Sequence, residues 1–70
     1  MGGIAGISHK RAIRALEKTG FTVARQGGHV VMRKNGTLIT IPRHDPIDAH
    51  TMAGIVRDAG LTPEQFRKLL

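Results

Sequence analysis

The 70-residue sequence predicts a two-layer α+β domain. A three-stranded antiparallel sheet carries helices on one face, in the order α-β-β-β-α, with a short C-terminal helix added. Two observations predict this. Apolar alternation runs through FTVARQGGHVVMRKNGTLITIP, Phe21 to Pro42, and the glycine turns Gly27-Gly28 and Asn35-Gly36 cut it into three strands. Apolar stripes at helical spacing lie on either side of that stretch, each closed by a glycine.

Asn35-Gly36 is the strongest short hairpin signal, because a two-residue type I′ turn needs φ > 0 at both positions. It sets a register in which Lys34 faces Thr37, Arg33 faces Leu38, Met32 faces Ile39, Val31 faces Thr40 and Val30 faces Ile41. Strand side chains alternate between faces, so Val30, Met32, Ile39 and Ile41 form a core face. His29, Val31, Arg33, Leu38 and Thr40 take the other. A tight turn at Gly27-Gly28 pairs Gln26 with His29 and Val23 with Met32, which adds Phe21 and Val23 to the core face. Three strands then agree on one core, whereas a slip by one residue would turn the apolar set outward.

Residues 1–7, Gly-rich, are expected to be mobile. Ser8 is a good N-cap for a helix from His9 to Thr19 with Ala12, Ile13 and Leu16 on its stripe, and Gly20 suits an αL ending. His9, in the first turn, reads as a solvated surface residue. Pro42 ends the third strand, and Asp45-Pro46 marks a loop over Arg43 to Asp48. A second helix is expected over Ala49 to Ala59, capped near Asp48 or His50, with Met52, Ile55, Val56 and Ala59 inward and Gly60 at its close. Thr62-Pro63-Glu64-Gln65 carries an N-cap, a proline at N1 and a capping-box glutamine, and it opens a short helix with Phe66, Leu69 and Leu70 on its apolar side.

The chain carries 11 Lys and Arg against 5 Asp and Glu, a formal charge of +6. Its expected partner is a polyanion, either nucleic acid or an acidic protein. Basic residues recur beside His29 at Arg25, Arg33, Lys34 and Arg43. The two aromatics, Phe21 and Phe66, read as core, so a base-stacking platform is not expected. A chain with no cysteine fits a reducing, cytoplasmic compartment. No apolar run is long enough to span a membrane. Met1 to Ser8 lacks the pattern of a signal peptide, and Gly6 breaks a myristoylation motif. At this size a partner is expected to supply part of the stability.

No cysteine nucleophile or P-loop is present, and paired-carboxylate chemistry has little support. His44, Asp45, Asp48 and His50 match no strong zinc spacing, so neither metal nor cofactor is expected. His29 is the residue with chemical reach. Histidine titrates near a pKa of about 6.5, and RNA carries its own nucleophile, the 2′-OH. Cleavage needs a base at that oxygen, an acid at the leaving oxygen and positive charge around the phosphate. Arg33, Lys34 and Arg43 are the phosphate-binding candidates. Gln26 is a candidate for orienting the site, and His44 for a second proton transfer. An ordinary exposed strand histidine remains the alternative at this point.

Several motifs in order resemble the HicA toxin family. They are a first helix ending in Gly20-Phe21, then Arg25-Gln26-Gly27-Gly28-His29, Asn35-Gly36 and Ile39-Thr40-Ile41-Pro42-Arg43-His44. Thr51 follows, ahead of Ile55-Val56-Arg57-Asp58-Ala59-Gly60-Leu61. The resemblance covers nearly the whole chain from Ser8. It implies a messenger-RNA endonuclease acting without metal on a double-stranded-RNA-binding-like fold, with His29 catalytic, Gly28 in the RNA-contacting turn and a HicB-type antitoxin covering the active face. The family turn usually reads Gly-Ser-His. Here Gly28 stands in the serine position, the turn is one residue shorter than in many members, and Val30 replaces a frequent second histidine. Two other readings stand beside this one: a non-catalytic RNA-binding module, and a small interaction protein whose basic surface takes only an acidic partner.

Overall fold

The computed structural model describes residues 5–70. The elements are α1 (His9–Glu17), β1 (Thr22–Gln26), β2 (Val30–Lys34), β3 (Thr37–Ile41), α2 (Ala49–Asp58) and α3 (Pro63–Arg67). The antiparallel sheet has the strand order β1-β2-β3. One of its faces carries the helices and the other is open. No helix among the described residues is long and apolar enough to cross a membrane.

The β2–β3 register is the predicted one at all five pairs, from Val30↔Ile41 to Lys34↔Thr37. The turn that sets it differs from expectation. Asn35 takes a positive φ of 56°, but Gly36 does not, so this is not a type I′ turn. Asparagine tolerates the left-handed region, and the two-residue loop length is enough to hold the pairing. Val30, Met32, Ile39 and Ile41 are buried as a set, with Phe21 beside them and Val23 half-buried. Ala12, Ala15 and Leu16 of α1, Met52, Ile55 and Val56 of α2, and Phe66 of α3 cover them. Leu38, on the open face, is 62% exposed.

The helix ends follow their caps. Ser8 Oγ accepts from the Arg11 amide at 3.2 Å, and Asp48 Oδ2 accepts from the Thr51 amide at 3.0 Å. The Thr62–Gln65 capping box is complete. Gly20 and Gly60 close α1 and α2 with φ of 104° and 78°, a region that side chains oppose. Both helices end one or two residues before their expected limits, at Glu17 and Asp58. Some charges of α1 run against its dipole, Lys10 and Arg11 in the first turn and Glu17 in the last, whereas Arg14 in the last turn and Lys18 at the C-cap favour it. Each such misplacement costs about 0.3–1 kcal/mol at low salt.

Two expectations need correction here. The mobility expected of residues 1–7 falls outside the described residues at 1–4, and it fails at Ile7. That side chain is buried and forms an antiparallel bridge with Ile47, whose amide donates to the Ile7 carbonyl at 2.8 Å. His9 is not a solvated residue either. Its side chain is 13% exposed, and its backbone amide and Nδ1 meet Asp45 Oδ1 at 2.8 and 2.7 Å. The His9 amide, aided by the ring and by Lys10, holds the Asp45 carboxyl below its ordinary range. Together these contacts pin the start of α1 to the loop after β3.

Two predictions follow from this packing. Met32→Ala should cost about 2–5 kcal/mol in urea unfolding, as buried methionine truncations do. Leu38→Ala should change stability by no more than about 0.5 kcal/mol; equal effects of the two would place the core on the wrong face. The second concerns Asp45. A carboxyl with a lowered folded pKa adds stability above its unfolded pKa and loses it as pH falls through the folded value. Asp45→Ala should therefore melt below wild type at pH near 7, and the gap should close below pH 3.8, the ordinary aspartate value. A gap that is unchanged in acid would show that the carboxylate is not what matters.

Candidate functional site

The site starts from an irregularity in β1. Thr22 faces Arg33 and Val23 faces Met32, but Arg25 faces Val31 and Gln26 faces Val30. Ala24 is thus an extra residue, a bulge, and it shifts the pairing by one. A bulge re-aims the side chains that follow it. Regular alternation from Val23 would send Arg25 to the helix side. The bulge sends it instead to the open face, in a row with Val31 and its β3 partner Thr40.

The same shift lengthens the turn. Gly27-Gly28 was expected as a two-residue loop with Gln26 opposite His29. Gln26 instead faces Val30, and the turn holds three residues, Gly27, Gly28 and His29, with the Gly27 amide donating to the His29 carbonyl at 3.1 Å. His29 is therefore a turn residue with an exposed side chain, not a strand residue. Arg25, Gly27, Gly28, His29, Val31 and Thr40 line one shallow groove of about 350 Å³ on the open face. A histidine able to exchange a proton and an arginine able to bind phosphate in two places share one concavity.

The other predicted residues scatter. Gln26, opposite Val30, takes the parity of the helix side and is not part of the groove lining. Arg33 is exposed on the open face, in a row with Thr22 and Leu38, about 7 Å further along β2 than Val31. Lys34 has the parity of Met32 and lies half-buried on the helix side, its Nζ 5.8 Å from the centre of the Phe21 ring and its stem against Gly20. Arg43 and His44 are exposed beyond Pro42, at the sheet end where Val30 meets Ile41. His44 lines a separate groove of about 180 Å³ with Pro42, Asp48 and Thr51.

Arg25 is the lining residue whose place the sequence pattern hid. Its basic character was plain, but without the bulge it belongs to the wrong face, and Ala24 carries no signal of a bulge. The loop acids have local duties: Asp45 holds His9, and Asp48 caps α2. Among the described residues, no three His, Asp or Glu side chains converge as a metal site would need.

A search of curated proteins gives no match. The family model described as HicA toxin of bacterial toxin–antitoxin matches residues 10–61. The match runs from the first turn of α1 to just past Gly60, and so takes in the three strands, the bulge and the His29 turn. It covers well over half of the chain, which therefore belongs to the HicA toxin family of bacterial toxin–antitoxin systems.

Proposed function

We propose that this toxin is a ribonuclease that cuts messenger RNA, with His29 as general acid/base, and that a HicB-type antitoxin neutralises it by covering the open sheet face. The observation that carries the reading is the shared groove: His29 on a glycine turn beside Arg25, open to solvent. The residues suit in-line transesterification. His29 takes the proton of a ribose 2′-OH, and the 2′ oxygen attacks the adjacent phosphorus. The bond from phosphorus to the 5′ oxygen breaks, leaving a 2′,3′-cyclic phosphate and a 5′-hydroxyl. The departing oxygen takes a proton from water, with His44, at the same end of the sheet, as the candidate protein donor. Arg25 binds the phosphate as charge grows on it in the transition state. Arg43 and Arg33 extend the positive field along the strand on either side of the cut.

Gly28 leaves the turn backbone open. A Cβ built there meets nothing within 4 Å, so a phosphate has room to approach the amides of the turn. Gln26 and Lys34 serve less directly in this proposal. Gln26 steadies the last pair of the β1–β2 ladder, and Lys34 belongs to the packing around Phe21.

The test is cleavage of a defined RNA by wild type and His29→Ala, with thermal melts and a chelator arm. The variant should melt as wild type does, because His29 is exposed, and should cut about 10²–10⁴-fold more slowly. Wild-type rates from the folded variant would refute the catalytic role. Binding by both proteins without cleavage by either would favour a non-catalytic RNA-binding module. A second comparison tests the division of the basic residues. On a short single-stranded RNA, Arg25→Ala should flatten the dependence of binding on salt by about 0.7 in log–log slope. Lys34→Ala should leave that slope unchanged; the reverse result would put the phosphate on the other face.

A further inference from the structure

Most of the positive charge lies away from the groove. Of the 11 Lys and Arg residues, six sit on α1, α3 and the residues that cap them: Lys10, Arg11, Arg14, Lys18, Arg67 and Lys68. All six are exposed. The packing brings three of them together on α1 and its C-cap, while Arg67 and Lys68 line a second groove with Glu64. Arg11, Arg14 and Lys18 share a groove with Leu69 and Leu70, and Lys18 Nζ donates to the Leu69 carbonyl at 2.7 Å. The acids of these two helices, Glu17 and Glu64, form no ion pair among the described residues. Among the described residues the ion pairs are His9–Asp45 and Arg57–Asp58.

Part of this arrangement works against the fold. Arg14 stands four residues from both Lys10 and Lys18, a spacing that brings like charges together on a helix. Lys10 and Arg11 also sit at the positive end of the α1 dipole. Exposed cations set against these local rules point to a use outside the fold. The start of α1 is also tied to the His29 end of the sheet through Asp45. The His9–Asp45 contact holds the start of α1 against the loop that leaves β3 through Arg43 and His44. That loop begins where Ile41 faces Val30, the residue after His29. The Cα atoms extend 32 × 22 × 16 Å along their principal axes, so a single strand of some tens of ångströms reaches from one face to the other.

We propose that the α1–α3 face is a second RNA-binding surface, an exosite that holds the sugar–phosphate backbone of the substrate strand away from the cut. It rests on the reading of the protein as a ribonuclease and adds to it a preference for long single strands. The ligand chemistry is a run of phosphates, since six cations without an aromatic partner recognise charge and not bases. The Arg43 side of the loop is the bridge between the two surfaces. A strand threaded this way is bound mainly on the helix layer and cut on the sheet layer.

The experiment compares the His29→Ala protein, which binds without cutting, with the same protein carrying Lys10→Gln, Arg11→Gln and Arg14→Gln. Binding is measured against salt for single-stranded RNAs of about 25 and about 5 nucleotides, the shorter filling one small site. The triple variant should lose affinity for the long RNA, and its slope should flatten by about 2, the release expected for three phosphate contacts on a single strand. Binding of the short RNA should not change. Its melting temperature should stay close to that of the parent, because Lys10 and Arg11 oppose the helix dipole while Arg14, in the last turn, favours it. Arg67→Gln with Lys68→Gln, on another element, should give the same selective loss on the long RNA. An unchanged slope for the long RNA in both variants overturns the exosite and leaves the ribonuclease reading intact. Loss of poly-glutamate binding with RNA binding unchanged also overturns it, and assigns the face to an acidic protein. If the parent binds neither RNA, the ribonuclease reading itself falls.

Discussion

The arrangement of this protein depends on one mismatch between its strands. β2 and β3 are locked in register by a two-residue loop and by four buried side chains, Val30, Met32, Ile39 and Ile41. β1 begins in the same register through Val23 and Met32, then slips by one at Ala24. The core cannot follow the slip, because shifting β2 by one residue would expose its whole apolar face. The extra residue is absorbed in β1 and its turn. Arg25 reaches the open face as a result, and His29 is lifted from the ladder into the loop.

Most of the fold was legible because its signals agree. Asn35-Gly36 fixed the β2–β3 pairing even though Gly36 does not take the backbone angle that the type I′ expectation requires. The caps at Ser8 and Thr62 marked two helix starts and Asp48 was one of two candidates for the third, since each works through a side chain and an amide a few residues away. What escaped depends on distance or on a local irregularity. The bulge sits at an alanine that looks like any strand residue. The Ile7–Ile47 bridge and the His9–Asp45 contact join segments about forty residues apart, a separation beyond any periodicity. The resemblance brought His29 forward as a catalyst, whereas only the geometry brought Arg25 to its side.

The two layers divide their work by charge as well as by burial. The sheet's open face carries a few cations set among uncharged residues, Val31, Leu38 and Thr40, and so presents a surface on which single side chains matter. The helix layer carries more charge, six exposed Lys and Arg on α1, α3 and their caps. Chemistry at one phosphate belongs to the first under the proposed function, and attachment to many phosphates belongs to the second under the proposed exosite.

The central claim is that the protein supplies proton transfer and positive charge while the substrate supplies the nucleophile. The most direct measurement is the fate of one RNA and of its 2′-O-methyl counterpart of the same sequence, with the ends of every product identified. The account predicts that the RNA is cut to 2′,3′-cyclic phosphate and 5′-hydroxyl ends and that the 2′-O-methyl strand stays intact while still bound. Cleavage of the methylated strand, or 5′-phosphate ends on the RNA products, would mean that water or another group attacks, and would contradict the role given to the 2′-OH and to His29.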